Sequence, residues 1–297
     1  MFTGLSAFPL TPITASGVDE QGFIKILTRL TAAGVDSIGI LGSTGSYAYL
    51  TREQRKRIAT LAKQHTDNIP MMVCVGAVST DAILYLADDA QALGANALLL
   101  PVVSYQSLRD EEVFSLFETV TQHVSVPICI YDNPSTTHFT FTDELHGRLS
   151  SLEGIRSVKI PGVPDSPAAA TKQLEALRRH LRPGVTIGIS GDAYAGLGLN
   201  AGCEVWYSVC GGLFPVMAKQ ITDAAVANDH ERVTALTARL EPLWALFRKY
   251  GGSIRVIAAA AGVLGLTDTD CLPRPLQPLS ADDIADIAHV IATLDLK

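Results

Sequence analysis

The chain has 297 residues, of which 47% are hydrophobic and 18% are charged, and its formal net charge is −7. This negative charge, without any run of Lys and Arg, argues against nucleic acid as the main partner. The sequence has no uninterrupted apolar run of about 18 residues, so we expect no membrane span. The first nine residues lack the basic start of a secretion signal. The five cysteines form no Cys-x-x-Cys pair, so we expect a cytoplasmic protein.

Short apolar runs alternate along the chain with longer amphipathic stretches. The runs are almost continuously apolar, which is typical of parallel strands covered on both faces, and each strand start lies 19 to 34 residues after the one before it. This spacing suits one strand plus one helix per unit. The predicted strands are residues 4–8, 37–41, 71–75, 97–101, 127–131, 155–159, 186–190 and 205–209.

Eight β/α units in series predict a (β/α)8 TIM barrel, which we assign to residues 1–227. The alternative is an open doubly wound sheet, but such a sheet usually has a Gly-rich turn after its first strand, where this chain has Pro9-Leu10-Thr11-Pro12. Residues 228–297 are predicted to form a C-terminal helical region packed on the barrel, with helices over 229–250, 252–264 and 280–294.

Lys159 is the residue best placed for chemistry, because it ends the sixth predicted strand. Burial disfavours the charged form of a lysine, and the neutral amine is a nucleophile toward carbonyl groups. The other seven lysines fall on polar helix faces or on the C-terminal tail. On this evidence alone, a structural lysine that extends to solvent is an equally good interpretation of Lys159.

Other polar residues follow the strands at the same end of the predicted barrel, where such barrels carry their chemistry. Ser43 and Thr44, flanked by Gly42 and Gly45, come after the second strand and could hold a carboxylate with hydroxyl and backbone N–H groups. Tyr131 ends the fifth strand, so it neighbours the sixth strand and could move protons there. The alternative for this residue is an ordinary core tyrosine.

The last two predicted strands also end in loops rich in glycine. Ser190-Gly191-Asp192 follows the seventh strand, and Gly211-Gly212 follows the eighth. Many barrels bind phosphate at this place, so a phosphosugar site is an alternative interpretation. The seven histidines show no metal-ligand spacing, and we therefore predict no metal site.

The chain resembles the dihydrodipicolinate synthase/N-acetylneuraminate lyase family of pyruvate-type class I aldolases over nearly its whole length. The motifs that carry the resemblance are Ala7-Phe8-Pro9-Leu10-Thr11-Pro12, Gly42-Ser43-Thr44-Gly45, Tyr131-Asp132-Asn133-Pro134, Val158-Lys159 and Ser190-Gly191-Asp192. The resemblance implies that Lys159 forms a Schiff base with the keto carbon of pyruvate or another 2-oxo acid. It also implies a homotetramer, built as a dimer of dimers, that needs neither a metal nor an organic cofactor.

The same resemblance implies roles for the other residues. Tyr131 would donate and accept protons, and Ser43 would pass protons to it. Thr44 would hold the carboxylate of the 2-oxo acid together with neighbouring backbone N–H groups, and Tyr207 would contact that acid through its backbone. The glycines implied to line the substrate site are Gly42, Gly45 and Gly191.

Three positions depart from the family pattern. Ser46 stands where the family has a glutamate, and Val102-Val103 replaces a Tyr-Tyr pair that completes the proton relay across a dimer contact, which leaves Tyr105 as a candidate substitute. Thr136 stands where the synthase branch has an arginine that binds the carboxylate of the second substrate. A hydroxyl group cannot replace a guanidinium fork, so an uncharged aldehyde bearing hydroxyl groups is the better match.

These observations predict a Schiff-base lyase, an aldolase or dehydratase, acting on pyruvate and an aldehyde or on the corresponding 2-keto-3-deoxy sugar acid. The alternatives within the family are dihydrodipicolinate synthase and N-acetylneuraminate lyase. A non-enzymatic alternative is a degenerate barrel that only binds a 2-oxo acid. His138, in the loop after the fifth strand, is a candidate substrate contact or acid–base group, or else an exposed loop residue. Asp132 either supports the residues that touch substrate or forms a turn before Pro134, and the turn is the favoured interpretation.

Overall fold

The computed structural model describes residues 1–66 and 68–297. Within this part of the chain, eight parallel strands close into a barrel, which confirms the predicted TIM-barrel fold. A small antiparallel hairpin of β2 and β3, which the sequence analysis did not predict, follows the first strand. The strands are β1 (Gly4–Ala7), β2 (Ile13–Thr14), β3 (Gly17–Val18), β4 (Ser37–Ile40), β5 (Met71–Cys74), β6 (Ala97–Pro101), β7 (Ile128–Tyr131), β8 (Ile155–Ile160), β9 (Thr186–Ile189) and β10 (Val205–Ser208).

Helices alternate with the barrel strands and continue after the last of them. Their first turns carry the caps that the sequence indicates: the Thr51 side chain accepts a hydrogen bond from Gln54 N, and that of Ser280 accepts one from Asp283 N. The helices are α1 (Glu20–Ala33), α2 (Arg52–His65), α3 (Thr80–Ala92), α4 (Asp110–His123), α5 (Pro134–Thr137), α6 (Asp143–Ser151), α7 (Pro167–His180), α8 (Ala195–Asn200), α9 (Pro215–Val226), α10 (His230–Arg239), α11 (Glu241–Lys249), α12 (Ser253–Val263) and α13 (Ala281–Leu294).

Several predicted strands extend one residue too far. Phe8, Leu41 and Val75 lie just beyond strands but are as buried as the strand residues themselves, with exposed fractions of 3%, 1% and 0%. The apolar run therefore continues into the loop at the barrel mouth, and hydrophobicity cannot mark where the ladder hydrogen bonds end. Strand β8 is one residue longer than predicted, because it includes Ile160 after Lys159.

The predicted single helix over residues 229–250 is wrong, because the chain forms two helices there, α10 and α11. Pro242 occupies the first turn of α11. Proline has no N–H to donate to the preceding turn, so the first helix ends and a second one begins. The proposed boundary between residues 227 and 228 falls in the link between α9 and α10, and as a domain boundary it remains a prediction.

Strand pairing fixes which residues are neighbours around the barrel. Tyr131 on β7 pairs with Lys159 on β8, which in turn pairs with Gly188 on β9. A side chain at Gly188 would collide with the ring of Tyr207 and with Val205. The glycine therefore leaves space inside the barrel for the tyrosine that packs below the lysine. No helix in the described residues is both long and apolar enough to cross a membrane.

Candidate active site

A cavity of about 630 Å3 opens at the carboxyl ends of the barrel strands. Strand ends, the loops after them and the segment between α11 and α12 all contribute to its wall. The lining residues are Phe8, Ser43, Thr44, Ser46, Tyr47, Ala48, Tyr49, Tyr131, Asn133, Ser135, Thr136, Lys159, Pro161, Ser190, Gly191, Asp192, Ala193, Tyr194, Val209, Phe247, Gly251, Gly252, Ser253, Ile254 and Leu276.

Lys159 lies at the floor of this cavity and is only 6% exposed. Its Nζ lies over the Tyr131 ring, 4.3 Å from the ring centroid, and over the Phe8 ring, 4.6 Å from that centroid. The backbone carbonyl of Lys159 accepts a hydrogen bond from Asp132 N at 3.0 Å, which ties the ends of β7 and β8 together. The amine is thus held on a rigid strand and faces the cavity.

Tyr131 joins two loops through its hydroxyl group. The hydroxyl lies 2.9 Å from Ser43 Oγ and accepts a hydrogen bond from Asn133 Nδ2 at 3.0 Å. Ser135 Oγ donates in turn to Asn133 Oδ1 at 2.6 Å, so the amide is fixed in orientation. The structure therefore brings together Lys159, Tyr131 and Ser43, as the sequence analysis expected, and adds Asn133, which was quoted within a motif but given no role.

The loop after β4 forms one side of the cavity. Ser43 and Thr44 line it, whereas the flanking Gly42 and Gly45 do not. A Cβ at Gly45 would lie 2.8 Å from Leu41 Cα, and one at Gly42 would lie 2.7 Å from a carbon of the Phe8 ring. These two glycines therefore allow the tight turn that presents Ser43 and Thr44, and their contact with substrate stays a prediction.

Two other predicted site residues, Tyr207 and Tyr105, are not among those that line the cavity, and the backbone contact predicted for Tyr207 stays a prediction. The Tyr207 side chain points into the barrel interior, where its hydroxyl lies 2.6 Å from Ser157 Oγ and accepts a hydrogen bond from Cys129 Sγ at 3.5 Å. Val209, two residues later and beyond the end of β10, lines the cavity. Tyr105 is 89% exposed and lies outside the cavity of its own chain.

Asp192 is a buried carboxylate at the cavity wall whose structural role the sequence analysis did not identify. It accepts hydrogen bonds from Trp206 Nε1 at 2.9 Å, Ser208 Oγ at 3.0 Å and Cys210 N at 2.7 Å. Burial raises the pKa of Asp192 to about 6, against these hydrogen bonds, which favour the charged form. The contacts tie the segment that contains the predicted substrate residue Gly191 to the end of β10.

Asp132 faces His146 of α6 in a buried pair, which favours its interpretation as a supporting group over that as a turn residue. Asp132 Oδ2 lies 3.5 Å from His146 Nε2, and the imidazole stacks on Phe141 with ring centroids 4.9 Å apart. Burial raises the pKa of Asp132 to about 7 and lowers the pKa of His146 to about 4. Asp132 and His146 are 14 residues apart, one in a loop and the other on a helix, and no local sequence pattern predicts that they meet.

The loop after β7 carries the position that departs from the family pattern. Thr136 lines the cavity at its rim, and the backbone N–H groups of Thr136 and Thr137 donate to Asn133 O at 3.1 and 3.0 Å. His138 is exposed and is not among the lining residues, which favours the interpretation as a loop residue. Among the described residues that line the cavity, Lys159 is the single Lys or Arg.

The C-terminal region supplies one wall of the cavity, which the sequence analysis missed. Phe247 of α11, Gly251 and Gly252 of the following link, and Ser253 and Ile254 at the start of α12 all line it. These residues lie about 90 positions along the chain from Lys159, and no motif links them to it. A contact of this kind depends on how α11 and α12 dock on the barrel, which composition does not specify.

Comparisons with other proteins show what the whole chain resembles. A model of the dihydrodipicolinate synthetase family matches residues 1–294. The chain is 28% identical over 287 residues to a 4-hydroxy-tetrahydrodipicolinate synthase of Parvibaculum lavamentivorans, covering 95% of this chain and 94% of that protein. A solved dihydrodipicolinate synthase of Agrobacterium tumefaciens superposes with a TM-score of 0.94 at 44% identity, covering 99% of this chain and 98% of that one.

A prophage protein of E. coli K12, solved in complex with pyruvate, belongs to the dihydrodipicolinic acid synthase family and also shares the fold. Its TM-score is 0.90 at 24% identity, and the match covers 100% of both chains. At this identity the likeness establishes the architecture alone.

Proposed function

Because the chain belongs to the dihydrodipicolinate synthetase family, we propose that it is a lyase that forms a Schiff base between Lys159 and the keto carbon of pyruvate or a related 2-oxo acid. The observation that carries this proposal is the buried Lys159 amine beside Tyr131, whose hydroxyl is hydrogen-bonded to Ser43 and Asn133. A nucleophile with a proton donor at its side is what carbinolamine formation and loss require.

The proposed reaction begins when Lys159 Nζ adds to the keto carbon. The carbinolamine takes a proton from the Tyr131 hydroxyl, loses water and leaves a protonated imine. Tyr131, now a base, removes the proton of the substrate hydroxyl group, and the C–C bond breaks with its electrons moving into the imine. An aldehyde leaves, the enamine is protonated on carbon, and hydrolysis releases pyruvate. Ser43 passes protons to Tyr131, and Thr44 holds the carboxylate with backbone N–H groups.

The proposed substrate is a 2-keto-3-deoxy sugar acid. Hydroxyl groups are plentiful at the cavity wall, in Ser46, Ser135, Thr136 and Ser253, whereas Lys159 is the one Lys or Arg among the described lining residues. A neutral polyhydroxylated aldehyde can be hydrogen-bonded by such a wall, but a second carboxylate lacks the bidentate partner that arginine offers.

Condensation of pyruvate with aspartate semialdehyde is the second candidate, favoured by the names of the relatives. The two candidates are separated by comparing kcat/KM for cleavage of 2-keto-3-deoxy sugar acids with kcat/KM for the condensation. We expect the sugar acids to be better substrates by at least about tenfold, the factor that about 1.4 kcal/mol of differential transition-state binding provides. Efficient condensation with the semialdehyde would overturn this preference.

We also propose that Tyr105 contributes to the proton relay of a neighbouring subunit. Its exposed position on a loop outside its own cavity suits a residue that reaches a neighbouring subunit, and a homotetramer built from paired dimers would allow such a relay. Both the assembly and the relay role are proposals, and sedimentation together with the activity of Tyr105→Phe tests them.

The deciding experiment is intact mass spectrometry after incubation with pyruvate and borohydride. We expect a reduced adduct on the wild type and none on Lys159→Ala. Borohydride converts the imine into a stable amine, and without the Lys159 amine no imine forms at this site. An unmodified wild type would reject the Schiff base and favour the barrel that only binds a 2-oxo acid. An adduct that persists in Lys159→Ala would show that a different lysine reacts.

A further inference from the structure

We propose that Phe8 is a positioning residue that stabilises the protonated imine formed on Lys159 Nζ relative to the neutral amine from which it forms. This inference rests on the proposed function, because the imine is the species whose charge is stabilised. Phe8 lies at the end of β1 and lines the same cavity as the lysine.

The geometry is that of a cation held between two aromatic faces. Lys159 Nζ lies 4.6 Å from the centroid of the Phe8 ring and 4.3 Å from that of Tyr131. Phe8 is 3% exposed and Tyr131 is 2% exposed. A cation within about 6 Å of a ring centroid is attracted by the electron-rich face, and more strongly when water is excluded.

The surrounding structure is shaped around the Phe8 ring. Side chains at Gly39 and Gly42 would both collide with this ring, so two neighbouring positions on and after β4 leave space for it. Tyr207 then packs edge-on against Phe8, with ring centroids 5.9 Å apart and an interplanar angle of 89°. The ring is therefore held in one position beside the amine by its packing.

The rings lie against the Lys159 amine, whereas the Asp192 carboxylate acts on it without forming an ion pair. Among residues 1–66 and 68–297, none of the ion pairs includes Lys159. Asp192 also lines the cavity, but its two oxygens are engaged by three donors from the β10 end. A protonated imine formed here consequently depends on the neighbouring ring faces for its closest compensation.

The test compares wild type with Phe8→Leu, which keeps apolar volume but removes the ring face. The measurement is the pyruvate concentration at which half of the protein is trapped by borohydride, at a fixed pH alkaline enough for the free amine to be uncharged, since a ring contact with the free ammonium would offset the contact with the imine. We expect this concentration to rise by about 3- to 30-fold, the range that corresponds to a partly to fully desolvated cation–π contact. Phe117→Leu, at a fully buried position on α4 away from the cavity, is the matched control and should leave it unchanged.

A second series of variants separates the electrostatic effect of the ring face from the shape of the ring. Replacing Phe8 by fluorinated phenylalanines withdraws electrons from the ring face with little change in volume, and the half-trapping concentration should rise in step with fluorination. In Lys159→Ala, noncovalent pyruvate binding measured by calorimetry should not respond to Phe8→Leu, because the cation is gone.

The outcomes distinguish this inference from the proposed function. A wild type that forms no adduct would reject the proposed function itself. A wild type that forms the adduct, with half-trapping unchanged across the fluorinated series, would reject the role of Phe8 alone. A response to Phe8→Leu that is equally large without Lys159 would assign the residue to packing.

Discussion

At the scale of single residues, the site depends on one amine whose neighbours fix its position and one hydroxyl whose neighbours fix its orientation. Tyr131 has its ring against Lys159 Nζ and its hydroxyl between Ser43 and Asn133. The ring packs against the proposed nucleophile, while the hydroxyl contacts the Ser43 hydroxyl and the Asn133 amide. The two functions can therefore be separated by substitution.

Tyr131→Phe removes the hydroxyl and keeps the ring. We expect kcat for aldol cleavage to fall by about 10²- to 10⁴-fold, the usual contribution of a positioned acid–base group, while thermal stability changes little. Steady-state kinetics and the rate of borohydride trapping measure the effect. Tyr49→Phe, at a half-exposed position of the cavity rim, serves as control; a similar loss in that variant would contradict the assignment.

The buried pair of Asp132 and His146 predicts a pH dependence of stability. The pKa of Asp132 is about 7 in the folded protein and about 3.9 in an unfolded chain, so the folded state binds more protons between these values. Its contribution to stability is therefore complete below about pH 4 and is lost as the pH rises through 7. His146, with a pKa lowered to about 4, contributes stability above its unfolded value that is lost as the pH falls toward 4.

Asp132→Asn removes the carboxyl group and should flatten this dependence. Relative to wild type, we expect the variant to gain about 1–3 kcal/mol in unfolding free energy between pH 5 and pH 8, because each pKa unit corresponds to about 1.4 kcal/mol. Urea unfolding at the two pH values measures it. Asp165→Asn, on an exposed loop, is the control, and parallel pH profiles for wild type and Asp132→Asn would refute the prediction.

At the scale of elements, the register of the strands determines which side chains of the site are neighbours. Lys159 on β8 pairs with Tyr131 on β7 and with Gly188 on β9. The backbone hydrogen bonds of the barrel therefore fix the two side chains next to each other, and Gly188 leaves space beside the lysine. The space is occupied by Tyr207 from β10. The barrel interior below the site is thus a packed layer that supports the lysine.

Gly188→Ala tests this layer. The added Cβ collides with Tyr207 and Val205, and overpacking of a well-filled core costs about 1–3 kcal/mol. We expect that loss in unfolding free energy by chemical denaturation, together with slower adduct formation. Combining it with Tyr207→Leu should cost less than the sum of the two single changes. Strict additivity would mean that the two positions do not compete for the same space.

At the scale of the whole molecule, the cavity is closed by parts that are far apart in sequence. Barrel strand ends and the loops after them supply Lys159, Tyr131 and Ser43, and the link between α11 and α12 supplies Gly251, Gly252 and Ser253 on the other side. A ligand held between these parts binds the folded state and not the unfolded chain. Ligand binding should therefore raise the stability of the whole protein.

Pyruvate is expected to raise the melting temperature of the wild type, because at about 100 times its Kd a ligand adds about 2.7 kcal/mol to the folded state. The increase should be much smaller in Lys159→Ala, where only the noncovalent contacts remain. Inorganic phosphate is the control ligand in a thermal melt. If phosphate stabilised the protein and pyruvate did not, the phosphosugar alternative would replace the proposal.

The sequence by itself determined the barrel, because continuous apolar runs at regular spacing require parallel strands covered on both faces. Together with the family resemblance, it also predicted that Lys159, Tyr131 and Ser43 lie close together, since strand ends of a parallel barrel meet at one rim. The ends of several strands were missed by one residue because buried loops such as the one at Leu41 are as apolar as strands.

Only the tertiary structure decided the rest. It turned Tyr207 into the barrel interior, paired Asp132 with His146, placed Phe8 under the lysine and brought the α11–α12 link over the cavity. Each of these contacts joins residues that are distant in sequence or separated by a turn, and each depends on the direction of a side chain. Local composition and periodicity specify which elements form, whereas such contacts are fixed only when the elements pack.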